Sequence, residues 1–223
     1  MQGWAEMRQA QEQAVAPVLA GDTDLLIASP TASGKTEAAF LPALSAIIED
    51  ELSGVRILYL SPLKALINDQ YRRLEGLAEQ LDIPVTAWHG DANQGRKKEL
   101  LKYPKGVLLI TPESLEALFV NHGERLRALF GNLAYIIIDE LHAFIGSERG
   151  RQLQSLMHRL ELIVRRRIPR LGLSATLGDL GLATGFLRPG ALFPCMIVNI
   201  PGEQDRVHSR NLTGPKSRYH AAF

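Results

Sequence analysis

The chain has 223 residues, of which 46% are hydrophobic and 22% are charged, and its formal net charge is +1. These fractions are those of an ordinary globular protein and exclude a disordered or fibrous chain. The single cysteine, Cys195, excludes a disulfide framework and a multi-cysteine zinc site. No apolar stretch is long enough to span a membrane, and the first residues lack the order of a signal peptide. We therefore expect a cytoplasmic protein, in which any affinity for nucleic acid comes from a local patch.

Short apolar runs rich in Ile, Leu and Val recur along the chain and predict strands that are buried on both faces. Five are clear, at residues 25–28, 55–60, 107–110, 135–138 and 171–173, and two are weaker, at 85–88 and 193–200. Apolar residues at helical spacing lie between them, in segments 37–52, 65–81 and 151–167. This alternation predicts an α/β fold, a doubly wound and mainly parallel sheet with helices on both faces.

The segment after the first predicted strand has the character of a phosphate-binding loop. In an open α/β sheet, ligands bind beyond the carboxyl ends of the strands. Here the chain continues into a helix through Ser29, Pro30, Thr31, Ala32, Ser33, Gly34, Lys35 and Thr36. In such loops, backbone N–H groups surround the phosphates, the lysine reaches the β- and γ-phosphates and the hydroxyl binds Mg²⁺. Ser29 replaces the first glycine of the usual pattern, so the alternative is a chance turn-to-helix junction.

Two acidic residues, Asp139 and Glu140, directly follow the fourth clear apolar run. Phosphoryl transfer needs a metal ion to neutralise charge and a positioned nucleophile. Asp139 is placed to hold Mg²⁺, and Glu140 to orient and deprotonate an attacking water. The alternative is that both acids only cap the next helix. The small polar segment 174–176 ends the fifth run and brings a third set of polar residues to the same edge of the predicted sheet.

Taken in chain order, these motifs resemble those of the superfamily 2 helicases. Residues 34–36, 139–142 and 174–176 resemble motifs I, II and III of that superfamily. The segment 61–66 (Ser-Pro-Leu-Lys-Ala-Leu) resembles motif Ia, and 111–114 (Thr-Pro-Glu-Ser) resembles motif Ib. The amino-acid sequences of these motifs are most similar to those of the Lhr-type DExH branch. The resemblance extends from about Trp4 to Leu187.

The resemblance implies the first of two RecA-like motor domains, in which ATP hydrolysis with Mg²⁺ drives movement on DNA or RNA. Gln11 would read adenine, and the ATP-binding loop would comprise Ser29, Pro30, Thr31, Ala32, Ser33, Gly34, Lys35 and Thr36. The implied catalytic residues are Glu140, Asp139 and Lys35, and the implied Mg²⁺ ligands are Thr36 and Asp139. Coupling of the two activities would depend on His142, Ser174 and Thr176. Trp4 would stack on adenine or act as a packing aromatic.

The resemblance also implies where a nucleic-acid strand would lie. The implied contacts are Pro62, Leu63 and Lys64 in motif Ia and Thr111, Pro112, Glu113 and Ser114 in motif Ib. Such contacts to phosphates position a strand without reading its sequence. Arg149 and Arg151, soon after motif II, would also approach nucleic acid, whereas residues 165–167 are typical cations of a helix end. Residues 89–91 match a strand-contact loop weakly.

Two departures from the family pattern shape the expectation for the whole chain. Ala32 occupies a position where the family has glycine, and related branches of the family tolerate alanine there. Nothing after Thr176 resembles motifs IV to VI, and fewer than fifty residues follow it. We therefore expect one motor domain in residues 1–200 and a tail or linker in 201–223. The expected partners are a second RecA-like domain and single-stranded or duplex DNA or RNA, and we expect no association with a membrane.

Two alternatives remain open at this point. A stand-alone nucleotide or nucleic-acid binding module would show the same motifs without useful turnover, and a partner domain that supplies an arginine would distinguish it. An unrelated phosphate-loop protein, such as a small-molecule kinase or an ABC-type ATPase, explains Lys35 and Asp139. It does not explain Gln11 or the segments 111–114 and 174–176.

Overall fold

The computed structural model describes residues 9–30, 34–49, 52–175, 179–190 and 193–200. Seven strands of this part form one sheet in the order β3-β4-β2-β5-β6-β1-β7, and every neighbouring pair is parallel. The strands are β1 Asp24–Ala28, β2 Gly54–Leu60, β3 Val85–Trp88, β4 Lys105–Ile110, β5 Tyr135–Ile138, β6 Arg170–Ser174 and β7 Cys195–Asn199. All five clear runs and both weaker candidates are therefore strands.

Helices cover both faces of the sheet. They are α1 Gln9–Ala20, α2 Lys35–Ile47, α3 Lys64–Glu79, α4 Gln94–Lys102, α5 Pro112–Asn121, α6 Leu126–Phe130, α7 Glu148–Val164 and α8 Leu180–Leu187. The core on one face comes from α1, α2 and α3, and the core on the other face comes from α4 to α8. The predicted doubly wound α/β architecture is confirmed.

Alternation along each strand produces these two cores. In β5, Ile136 and Ile138 pack on the α7 side, whereas Tyr135 and Ile137 pack on the α1 side. Successive strand residues point to opposite faces, so a strand in the middle of a covered sheet is apolar at every position. This is why apolar runs in the sequence predicted the strands.

The predicted and observed helix boundaries differ most at the end of α2. The segment 37–52 was expected to be one helix, but α2 already ends at Ile47, and Leu52 is exposed. Gly54 then begins β2 with a positive φ of 99°. Glycine adopts this conformation without the steric cost that a side chain brings. The conformation at the start of β2 therefore favours glycine.

The carboxyl ends of the central strands lie side by side. The N–H of Asp139 donates to the carbonyl of Leu60 at 2.8 Å, which joins the end of β5 to the end of β2. Ser29 donates to the carbonyl of Ser174 at 3.3 Å, which joins the ends of β1 and β6. The segments that follow these strands therefore share one edge of the sheet. Within the described residues, no helix is both long and apolar enough to cross a membrane.

Candidate active site

The helix α2 starts at the residues expected to hold phosphate. Gly34 caps it with a φ of 84°, a left-handed conformation that favours glycine, and Lys35 and Thr36 occupy its first turn. The Lys35 ammonium donates to the carbonyls of Ser29 and Pro30, at 2.6 and 3.0 Å. The lysine therefore bridges the helix start to the loop that follows β1. Thr31, Ala32 and Ser33 lie outside the described residues.

The electrostatics of Lys35 suit an anionic ligand. Burial lowers the pKa of Lys35, while the carboxylates of Glu140 and Asp139 oppose that shift. A half-buried ammonium loses part of its hydration, and a nearby negative charge compensates for that loss. Phosphate oxygens at this helix start would supply such a charge.

Asp139 is held by two hydrogen bonds at the end of β5. Its Oδ2 accepts from the hydroxyl of Tyr59, a fully buried residue of β2. Its Oδ1 accepts from the N–H of Glu140 at 2.9 Å. Burial raises the pKa of Asp139, and the Tyr59 hydrogen bond acts in the opposite direction. Burial, together with the nearby carboxylate of Asp139, raises the pKa of Tyr59 well above its usual range.

Glu140 turns the chain out of the sheet. It adopts φ 48° and ψ 47°, in the left-handed region, and a short 3₁₀ turn follows at Leu141–Ala143. A non-glycine residue in this region carries a conformational cost. The turn brings the Glu140 carboxylate to 3.4 Å from Nδ1 of His142. Residues 139–142, the acidic segment, thus present three polar side chains at the edge.

His142 links the acidic segment to the end of β6. Its Nδ1 lies 3.2 Å from the hydroxyl of Ser174, a buried residue. The resemblance implied a shared coupling role for His142, Ser174 and Thr176, and the structure brings the first two of these residues together. Thr176 lies outside the described residues. The contact gives a direct path between the ends of β5 and β6.

The side chains at this edge would suit a magnesium ion whose other ligands come from phosphate. Mg²⁺ is usually held by one or two carboxylates together with substrate phosphates and water. The described residues contain no cluster of three or more His, Cys, Asp or Glu side chains that would hold a metal alone. Asp139, directly after β5, and Thr36, in the first turn of α2, each carry an oxygen donor of the type that Mg²⁺ accepts.

Two further segments lie at the same edge, and we call them the Ia segment (residues 61–64) and the Ib segment (residues 111–114). Ser61 donates its N–H to the carbonyl of Ile110 at 3.2 Å, so the two segments start side by side. In the Ib segment, the Thr111 hydroxyl caps α5 by accepting the N–H of Ser114 at 3.3 Å. Pro112 follows at the first helical position, which favours helix entry.

The side chains of the Ia segment differ in their surroundings. Pro62 is buried, whereas Leu63 is 57% exposed. The ammonium of Lys64 is exposed and lies 3.0 Å from Oδ2 of Asp91. Lys64 therefore has a carboxylate partner on the exposed surface.

One predicted residue lies in α1, and one basic residue has unexpected contacts. Gln11 is buried in α1, which packs against α2, β1 and β7. Arg149 hydrogen bonds with the carboxylate of Glu113 and with the carbonyl of Pro62. Burial would raise the pKa of Glu113, but the Arg149 hydrogen bond lowers it. Trp4 and residues 201–223 lie outside the described residues.

Sequence reasoning missed Tyr59 as a partner of Asp139. The tyrosine lies inside an apolar strand run, so its pattern signalled only burial. A polar hydroxyl in a fully buried position usually has a partner, and that rule was the available signal. The residue at the end of the neighbouring strand supplies the partner here.

Comparisons with known proteins show the family of this chain. The family model described as DEAD/DEAH box helicase matches residues 8–181. The chain belongs to this family. It is 33% identical over 214 residues to the ATP-dependent helicase Lhr-Core of Methanothermobacter thermautotrophicus, covering 87% of this chain and 24% of the relative. It is also 33% identical to the Lhr helicase/uracil glycosylase of Escherichia coli, over 82% of this chain and 13% of that protein.

Solved structures of similar proteins share the fold. The Mycobacterium smegmatis helicase Lhr bound to ssDNA and AMP-PNP has a TM-score of 0.75 and 32% identity, over 89% of this chain and 26% of that one. The DUF1998 helicase MrfA has a TM-score of 0.76 and 29% identity, over 89% of this chain and 31% of that one. The resemblance to Lhr-type helicases and the RecA-like fold are confirmed. This chain spans about a quarter or less of the length of the two curated relatives.

Proposed function

We propose that this chain is the ATP-binding motor domain of a helicase or translocase that couples ATP hydrolysis to movement on single-stranded DNA or RNA. The observation that carries the proposal is the meeting of three motifs at one edge. Lys35 bonds to the loop after β1, Asp139 and Glu140 follow β5, and His142 contacts Ser174. Use of ATP is a property of the named relatives.

Each group at the edge has a chemical task in this proposal. Lys35 and the start of α2 would bind the phosphates of ATP, and Gln11 would read adenine. Glu140 would orient the attacking water and accept its proton, as a general base does. Thr36 and Asp139 would hold Mg²⁺, which neutralises phosphate charge when it is bound. Ser29, Pro30, Thr31, Ala32, Ser33 and Gly34 would complete the phosphate loop.

The strand would bind across the Ia and Ib segments. Pro62, Leu63 and Lys64, together with Thr111, Pro112 and Ser114, would contact or face its phosphates, with Lys64 exchanging Asp91 for a phosphate. Binding of ssDNA by the M. smegmatis helicase Lhr supports this choice of partner. The contact between His142 and Ser174, with Thr176 nearby in sequence, would couple strand binding to hydrolysis.

A second RecA-like domain would complete the motor. An arginine supplied from outside a phosphate site raises the rate by about 10³–10⁵ in related chemistry. We therefore expect this chain alone to bind Mg²⁺–ATP weakly and to hydrolyse it slowly. Brisk turnover by the purified monomer would contradict the need for that partner.

Steady-state ATP hydrolysis tests the proposal directly. The chain is assayed with Mg²⁺ while ssDNA and ssRNA are titrated separately, beside Lys35→Ala and a control, Lys98→Ala, which removes an exposed lysine of α4. We expect slow hydrolysis that Lys35→Ala abolishes and Lys98→Ala preserves. Nucleotide binding without any hydrolysis would favour a stand-alone binding module. Absence of nucleotide binding would contradict the proposal.

A further inference from the structure

One arginine joins three of the segments at the candidate site. Arg149 lies in the first turn of α7, just after the acidic segment. Its Nη2 donates to the carbonyl of Pro62 in the Ia segment at 2.7 Å. Its Nε and Nη2 donate to the two carboxylate oxygens of Glu113 in the Ib segment, the second at 2.9 Å. A single guanidinium thus bridges the Ia segment, the Ib segment and α7.

The geometry is more specific than that of a simple ion pair. A guanidinium fork that meets both oxygens of a carboxylate fixes direction as well as distance, which a lysine ammonium cannot do. The guanidinium of Arg149 also lies 5.5 Å from the ring centroid of Phe144, which is fully buried. The ring anchors the arginine to the turn that follows the acidic segment.

The charges argue against a direct phosphate contact by Arg149. The Glu113 carboxylate already neutralises the guanidinium, and a phosphate placed beside this pair would face a carboxylate. The Arg149 side chain is 33% exposed and that of Glu113 is 54% exposed. Exposed ion pairs contribute little to stability. We therefore expect this pair to act through the positions that it fixes and not through the stability of the fold.

We propose that Arg149 is a positioning residue that fixes the Ia and Ib segments relative to the acidic segment. This inference rests on the proposed function, because those two segments are the expected strand-binding groups. Arg149 acts through the Pro62 carbonyl and the Glu113 carboxylate. Glu113 accordingly belongs to this brace and keeps the start of α5 in place. The distance between the Ia and Ib segments then sets the spacing of the strand contacts.

The chain supplies a matched control for this brace. Arg159 and Glu116 join the same two helices, α7 and α5, with Nη1 and Oε1 2.8 Å apart. The Arg159 guanidinium also lies over a phenylalanine ring, 4.4 Å from the centroid of Phe119. This second pair is also an arginine–glutamate pair beside an aromatic ring, and its described hydrogen bond does not involve the Ia segment.

The test measures binding of a fluorescent single-stranded oligonucleotide by the full 223-residue chain at several salt concentrations, with AMP-PNP and Mg²⁺ present. The variants are Arg149→Gln, Glu113→Gln, their double variant and Arg159→Gln. We expect each single variant of the brace to weaken binding by about three- to tenfold. The double variant should be no weaker than either one, and Arg159→Gln should bind like the wild type.

The sign of the Glu113→Gln effect separates positioning from charge. Removing a carboxylate near a strand would tighten binding if only the local charge mattered, whereas loss of the brace weakens it. If Arg149 contacted a phosphate directly, the plot of log K against log salt would have a negative slope whose magnitude is smaller by about 0.7 in Arg149→Gln. Tighter binding in Glu113→Gln, or that change of slope, would overturn the inference.

Amide hydrogen exchange of the Ia segment gives a readout that does not need an oligonucleotide. We expect faster exchange in Arg149→Gln at Ser61 and Ile67, whose N–H groups bond to the carbonyls of Ile110 and Leu63, and no change in Arg159→Gln. If Arg149→Gln does not fold, Arg149→Lys replaces it, since it keeps the charge but loses the fork; weakened binding is expected there too, and wild-type binding would count against the brace.

The two proposals fail in different ways. A wild-type chain that binds neither nucleotide nor oligonucleotide contradicts the proposed function, and the inference falls with it. A wild-type chain that binds both, with Arg149→Gln equal to Arg159→Gln in affinity and exchange, overturns the inference alone.

Discussion

The hydroxyl of Tyr59 donates a hydrogen bond to Oδ2 of Asp139, which joins the middle of the sheet to the start of the acidic segment. The N–H of Glu140 occupies the other carboxylate oxygen. Both oxygens of Asp139 therefore have a fixed partner before any ligand arrives. Partners of this kind orient a metal-binding carboxylate and influence the affinity of the site.

Tyr59→Phe should raise the Mg²⁺ concentration needed for half-maximal ATP hydrolysis by about tenfold, because the Asp139 carboxylate loses its fixed orientation. The ring and its contact with Phe40, at 5.5 Å between centroids, would remain. The measurement is a Mg²⁺ titration of hydrolysis, together with ADP affinity measured in Mg²⁺ and in EDTA. We expect the affinity to fall only in Mg²⁺.

Tyr135→Phe is the control for this substitution. Tyr135 is also buried, and its hydroxyl donates to the carbonyl of Val18 at 2.9 Å. Its removal costs a buried hydrogen bond without touching Asp139. An equal shift of the Mg²⁺ requirement in both variants would show that general loosening of the domain, and not Asp139, is responsible.

Glu140→Gln should retain ATP binding while abolishing the residual hydrolysis. Glutamine keeps the size of the side chain but cannot accept the proton of the attacking water. Binding is measured with a fluorescent ATP analogue and hydrolysis by phosphate release. Glu148→Gln, which changes a 95% exposed carboxylate in α7, should leave both unchanged. A parallel loss of binding and hydrolysis in Glu140→Gln would contradict the role given to Glu140.

The sheet was predictable from a local pattern, and the contact of His142 with Ser174 was implied by the resemblance to the helicase motifs. Strands of a covered parallel sheet are apolar throughout, and their carboxyl ends meet at one edge. A polar group that directly follows such a strand is therefore placed by the fold itself. The ends of β5 and β6 brought His142 and Ser174 together in this way.

The hydrogen bonds of Tyr59 and Arg149 were not predictable from local patterns. Asp139 lies 80 residues from Tyr59, and Pro62 lies 87 residues from Arg149. Such pairs form only because strand order and helix placement bring distant segments together. A tyrosine in an apolar run and an arginine near a helix start have many possible partners, and the sequence does not choose among them.

A buried ionic network at the other end of the strands was equally invisible in the sequence. Asp24, which is fully buried at the start of β1, accepts from Arg188 Nε at 2.7 Å and from the N–H of Arg170 at 2.9 Å. Glu161 of α7 in turn pairs with both arginines, at 2.9 and 3.0 Å. The network ties β1 and β6 to α7 and to the end of α8.

Asp24→Ala should lower the free energy of unfolding by about 3–5 kcal/mol, because it removes one of the two carboxylates that neutralise the buried guanidinium groups of Arg170 and Arg188. Urea unfolding followed by circular dichroism measures the change. Asp69→Ala, which removes an exposed carboxylate of α3, should change stability by less than about 0.5 kcal/mol. A loss in Asp24→Ala no larger than in Asp69→Ala would show that the network contributes nothing to stability.

His89 should make stability depend on pH in a defined direction. Its ring is buried, and Nε2 lies 2.8 Å from Oδ1 of Asn68. Nδ1 has no hydrogen-bond partner among the described residues, so protonation would bury an unsatisfied N–H. Burial lowers the pKa of His89; Lys64 and Lys97 act in the same direction, whereas Asp91 opposes it.

The sign follows from proton binding in the two states. The unfolded chain binds a proton at this histidine at a higher pH than the folded chain does, so stability falls as pH drops below the unfolded pKa and levels off below the folded one. His89→Gln removes this dependence, and His158→Gln, at an exposed position of α7, retains it. Urea unfolding between pH 7.5 and 5.5 should therefore show wild type and His158→Gln losing stability relative to His89→Gln as pH falls. A constant difference across that range would mean that His89 has the same pKa in both states.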